Sequence, residues 1–99
     1  MFLIREIMHC RPGKAGELVK RFKQLEPLMK ELGFNQPQRV LTDMSGERYW
    51  TVVSEQQVEH LQEYLDGSRT MMGDLRAQKI MQGYHEFVES GRREIFKIE

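Results

Sequence analysis

The sequence has one cysteine, Cys10, in 99 residues, so no internal disulfide can staple it. A lone thiol fits a reducing compartment. It also lacks any excess of charge: fifteen basic and fifteen acidic residues cancel. That removes the electrostatic case for nucleic acid or an anionic membrane surface. No apolar run is long enough to span a bilayer, and Arg5 and Glu6 break the apolar opening, which excludes a signal-peptide core. There is no internal repeat and no low-complexity linker. The expectation is a cytoplasmic protein forming one domain over residues 1–99, with neither nucleic acid nor membrane as partner.

What is present alternates. In MFLIREIMHC, one strand face carries Phe2, Ile4, Glu6, Met8 and Cys10, and the other carries Leu3, Arg5, Ile7 and His9. RPG then breaks the strand. From Lys14 to Leu32 the apolar residues Ala15, Leu18, Val19, Phe22, Leu25, Met29 and Leu32 fall at helical spacing. Pro27 inside that pattern predicts a kink or restart, and Gly33 a C-terminal stop. QRVLTDM and ERYWTVV flank Ser45–Gly46 and read as a hairpin. Ser54 and Gln57 read as a capping box that starts a helix there, with Val58, Leu61 and Leu65 on its buried edge. GSRTMMGD interrupts this helix at Gly67 and Gly73. A third helix is expected over 74–89, ended by Gly91, and RREIFKIE closes the chain as a strand.

The element order is β-α-β-β-α-α-β, an α+β, ferredoxin-like arrangement with a four-stranded antiparallel sheet and helices on one face. The other face should then be polar. It is not: Leu3 and Ile7 lie opposite Phe2, Ile4 and Met8, Phe96 and Ile98 lie opposite Ile95, and Trp50 and Val52 lie opposite Tyr49 and Val53. A large exposed apolar patch marks an interface. The expectation is a homodimer formed by two sheets packed face to face.

IREIMHCRPGKAGEL resembles the strand-then-PGK opening of the NIPSNAP family and of antibiotic-biosynthesis-monooxygenase-like domains. FKQLEPLMKELGF resembles the NIPSNAP-type helix, and YHEFVESGRREIFKIE the closing helix and strand of NIPSNAP-like proteins. The resemblance implies a dimeric α+β barrel. Activities it implies include cofactor-independent oxygenation of aromatic polyketides and haem binding or degradation. Haem-degrading members carry an asparagine, a tryptophan and a histidine; Glu6, Tyr64 and Asp74 stand near those positions here. All three signatures are missing, so no haem or other cofactor is expected.

Glu6, on an apolar strand face, is the leading candidate. A carboxylate there needs a partner or a role. It reads either as a general base or acceptor in a pocket between sheet and helices, or as the partner of Arg48 or Arg92. Tyr64, Tyr84 and Met81 are the candidate ligand-binding neighbours of Glu6, with core packing as the alternative for each. Arg5 and His9 occupy the opposite face; Arg5 reads as a ligand contact in the barrel lumen or as a partner for Asp43, Glu47 or Glu94. His60 and His85 lack paired ligand spacing, and His85 with Glu89 offers only two ligands, so no metal is expected. Cys10 reads as an inert buried thiol. The function expected is a small homodimeric domain binding an apolar or aromatic ligand between sheet and helices. The alternatives are a cofactor-independent oxygenase or isomerase using the same pocket, and a dimeric interaction module without a pocket.

Overall fold

The computed structural model describes residues 1–34 and 38–99. Its elements are β1 (Phe2–Cys10), α1 (Ala15–Glu31), β2 (Arg39–Thr42), β3 (Thr51–Val58), α2 (Leu61–Gly73), α3 (Leu75–Ile80), α4 (Tyr84–Phe87) and β4 (Val88–Lys97). The strands form one antiparallel sheet ordered β2-β3-β1-β4. The expected ferredoxin-like α+β order is therefore present, with the last helical stretch divided in two.

α1 follows directly from its sequence period. Ala15, Leu18, Phe22, Leu25 and Leu28 are buried along one side, while the charged residues between them face out. The helix runs on through Pro27, which has no N–H to donate to the preceding turn. It ends as expected at Gly33, whose φ of +90° lets the Phe34 N–H reach back to the Met29 carbonyl at 3.0 Å. Beneath α1 lie Met8 and Cys10 of β1 and Val52 of β3; Phe87, Val88 and Ala77 complete this core. Leu18 and Val52 are fully buried. Each such side chain contributes about 1.5–3 kcal/mol.

Several local expectations change. Ser54 caps nothing: it is buried within β3, which continues through Ser54–Gln57 to Val58. The helix that follows starts only at Leu61, and its Leu61 and Leu65 are exposed rather than forming a buried edge. Gly67 does not interrupt α2, because it sits under the Phe34 ring, where a Cβ would come within 2.5 Å. The ladder between β2 and β3 ends at Thr42 and Val52, so residues 43–50 form a wide loop and Tyr49 and Trp50 lie outside the strands. The expected third helix breaks at Gly83, in the left-handed region at φ +84°, and β4 already begins at Val88. Gly91 ends no helix. It lies inside β4 opposite Met8, where a Cβ would stand 3.0 Å from the Ile7 carbonyl oxygen.

Candidate functional site

Strand alternation sorts the side chains of the sheet. Ile4, Glu6, Met8 and Cys10 face the helices, while Arg5, Ile7 and His9 face the other way and line an open-face cavity of about 350 Å³. The space between sheet and helices is occupied by the core, against which Met71, Met81 and Tyr84 pack. Glu6, Tyr64, Tyr84 and Met81, expected to line a pocket there, are not among the residues of the open-face cavity.

Glu6 instead holds the helix side together. Tyr64 of α2 donates its hydroxyl to Glu6, and Arg93, directly opposite in β4, donates through Nε at 2.6 Å. The Arg93 guanidinium also lies 5.0 Å from the Tyr64 ring centroid. The partner is thus Arg93, not Arg48 or Arg92, because Arg93 shares the face of Glu6 while Arg92 points to the opposite one. Burial, then the hydrogen bond to Glu6 and its charge, push the Tyr64 phenol up to about 12. Tyr84 is also raised, by burial first. Burial raises the Cys10 thiol, as expected for an inert one.

The open face contains a carboxylate that sequence reading missed. Glu55 of β3 is 4% exposed and accepts from Arg5 Nε at 2.7 Å and from Arg39 Nη2 at 2.6 Å. These hydrogen bonds, from Arg39 first, hold its carboxyl below the ordinary value. Arg5 also reaches Glu94 at 3.6 Å and lies over the Phe96 ring. The Arg5 partners are therefore on the strands to either side of β1, with Glu94 the one foreseen. The signal for Glu55 was its odd spacing in a strand, concealed by the polar run SEQQ.

Four strands and a loop build the cavity. Ile7, Val53 and Leu41 are its apolar part, and Arg5 with Glu55 and Glu94 closes one end. His9 and Thr51 face each other across the β1–β3 ladder at the other end, with Arg92 on β4 and Arg48 on the 43–50 loop. His9 Nδ1 lies 3.4 Å from Thr51 Oγ1, and Thr51 Oγ1 donates to the Arg48 carbonyl at 2.9 Å. In the same loop Trp50 has φ +58°, and its carbonyl accepts from the Cys10 N–H at 2.8 Å. Strain of this kind persists only where surrounding contacts fix the backbone.

The histidines elsewhere stand apart. Glu89 lies in β4 rather than one helical turn from His85, and it reaches Arg48 at 3.5 Å. Glu59, His60 and Glu63 bring one ligand atom each within 4.8 Å of one another, but all three are exposed at the N-terminal end of α2. That helix end carries partial positive charge, which opposes a cation. Among the described residues, no helix is long and apolar enough to cross a membrane.

No family model and no curated protein matches the sequence. Solved structures do. A NIPSNAP domain protein of Burkholderia xenovorans superposes with a TM-score of 0.81 at 14% identity, covering 100% of this chain and 95% of its own. A NIPSNAP family protein of Agrobacterium tumefaciens gives a TM-score of 0.81 at 18% identity, covering 99% and 92%. A candidate antibiotic biosynthesis monooxygenase of Chloroflexus aurantiacus gives 0.70 at 8% identity, covering 99% and 92%. At these identities the likeness is one of fold. The chain therefore has the ferredoxin-like α+β fold of NIPSNAP-family proteins, a fold also found in that monooxygenase-like structure.

Proposed function

We propose that this protein is a homodimeric small-molecule-binding domain whose ligand sits on the open sheet face, between the sheets of two copies. The observation that carries the reading is the cavity itself. Its volume of about 350 Å³ lies in the range of small-ligand sites. Ile7, Val53 and Leu41 offer an apolar surface for a flat ring, and the charged groups around them set its orientation. On the helix side Glu6 is engaged by Tyr64 and Arg93, which favours a ligand on the opposite face of the sheet.

Two copies are supported by what the open face leaves uncovered. Leu41 and Phe96 are each more than 40% exposed there, in one chain on its own. Packing two such faces about 10 Å apart removes that area from water and converts an open concavity into an enclosed one.

The test uses N-phenyl-1-naphthylamine, an uncharged aromatic probe that brightens when it leaves water. Saturable binding is expected, and Val53→Arg, which fills the cavity floor with a charged side chain, should abolish it. Undiminished binding to Val53→Arg places the probe elsewhere. No binding to the parent protein removes the reading.

A further inference from the structure

The hydrogen-bond network around His9 specifies more than a place for a ring. Thr51 has one hydroxyl proton, and it is donated to the Arg48 carbonyl at 2.9 Å. Toward His9, 3.4 Å away, Thr51 Oγ1 can therefore only accept. That makes His9 Nδ1 the protonated nitrogen of the neutral ring and leaves Nε2 as its acceptor. Burial, and then the guanidinium groups of Arg48 and Arg92, hold the imidazole below its ordinary value of 6.5, with Glu47 and Glu89 opposing them. That direction favours the neutral ring, with a lone pair available on Nε2.

The two arginines beside it have donors to spare. Arg92 meets Glu94 through Nε at 3.3 Å, and Arg48 meets Glu89 through Nη2 at 3.5 Å. Both arginines are about half exposed, and a guanidinium has five N–H donors. Three of the cavity carboxylates are engaged: Asp43 accepts the Thr51 N–H at 2.8 Å, Glu55 is held by Arg5 and Arg39, and Glu94 by Arg92 and Arg5. Glu47, exposed on the 43–50 loop, lines the cavity and acts on His9 through its charge alone. The His9 end thus combines an acceptor nitrogen with two cations and the exposed Glu47 carboxylate, next to an apolar surface.

We propose that this end of the cavity takes a small phenol or enol, whose hydroxyl proton passes to His9 Nε2 while Arg48 and Arg92 hold the oxygen. The O–H bond breaks, the N–H bond forms, and the electron pair stays on oxygen as an oxyanion between guanidinium groups. No oxidant or metal enters this step. The same arrangement serves an isomerase that draws a proton from carbon next to a carbonyl, with the enolate oxygen in the oxyanion position. The proposal rests on the open-face ligand site and adds the ligand's chemical class.

The test compares 4-nitrophenol with its methyl ether, 4-nitroanisole, as competitors of N-phenyl-1-naphthylamine. Both should displace it. 4-Nitrophenol should bind about tenfold more tightly, and the bound form should show the yellow phenolate absorption below the pH at which the free phenol ionises. Arg48→Gln and Arg92→Gln should each remove most of that advantage while leaving 4-nitroanisole unchanged, which also reports that the variant is folded. In nitrogen-15 spectra, His9 Nε2 should gain a proton on saturation with 4-nitrophenol. Equal affinity for the two compounds, or a preference that both arginine variants retain, overturns the proposal and leaves the ligand site standing. Failure of both compounds to displace the uncharged probe overturns it as well. Absence of uncharged-probe binding removes the site reading along with it.

Discussion

Glu6 and Arg93 face each other across the β1–β4 ladder, with Nε of one 2.6 Å from Oε1 of the other, and Tyr64 of α2 completes the contact from above. The carboxylate that the sequence marks as a candidate base thus ties a helix to an edge strand. Replacing it separates the two roles. Glu6→Gln keeps the shape but removes a charge-assisted pair that is partly exposed, so a loss of about 1 kcal/mol in urea unfolding is expected. Binding of the uncharged probe on the opposite face should not change. A loss of probe binding with unaltered stability would return Glu6 to the ligand site.

The same contact predicts an alkaline transition. The Tyr64 phenol is raised from an ordinary value of 10 to about 12. A raised value means that the folded state holds its proton more tightly than the unfolded chain. The resulting stabilisation is complete below pH 10 and disappears as the pH rises through about 12. Thermal melts across that interval should fall less steeply for Tyr64→Phe than for the parent, since Phe has no proton to lose. Parallel curves would contradict the assignment.

Glu55 predicts the opposite limb. Its carboxyl is held below its ordinary value of 4.5 by Arg39 and Arg5. A depressed value stabilises the fold above 4.5 and ceases to do so as the pH falls through the folded-state value. Glu55→Gln should cost about 1–3 kcal/mol at neutral pH, because a nearly buried acceptor of two charged donors is removed. Acid titration followed by circular dichroism should then show a shallower loss below pH 4.5 for the variant than for the parent.

Much of the fold could be read from local pattern, and the failures share one cause. α1 was visible because its buried side depends only on spacing within the helix. β3 beyond Val53 was not, because SEQQ looks like a helix start until Arg5 and Arg39 arrive from other strands to pair with Glu55. Gly91 resembles a helix stop for the same reason: the carbonyl that forbids a side chain there belongs to Ile7, far away in sequence. At the candidate site, Arg5 and His9 were correctly set on the face opposite Glu6 by strand alternation. Their partners Glu55 and Thr51 needed the register of β1 against β3.

Gly91 gives a direct check of that register. With the Ile7 carbonyl oxygen 3.0 Å from where a Cβ would stand, Gly91→Val must push β4 away from β1. A destabilisation of about 1–3 kcal/mol is expected. If the chain tolerates valine with an unchanged urea midpoint, β4 is not seated against β1 as described.

The two-copy arrangement is tested through Phe96. It lies on the open face and is 46% exposed in a single chain. The parent should run as a dimer in light scattering at micromolar concentration, and Phe96→Asp should run as a single copy. A parent that is monomeric at that concentration removes the enclosed form of the cavity.

α2 buries none of its thirteen residues. Its attachments include the Tyr64 hydroxyl on Glu6 with Arg93 against its ring, Gly67 beneath Phe34, Met71 against the edge of the core, and the Gln78 amide on the Met72 carbonyl. A segment without a buried residue can swing free at lower cost than the strands beneath it, so its amides should exchange with heavy water well before those of β1. The domain would then be two layers of unequal permanence: a lasting sheet with α1, and a detachable flap that lies on the side away from the proposed ligand.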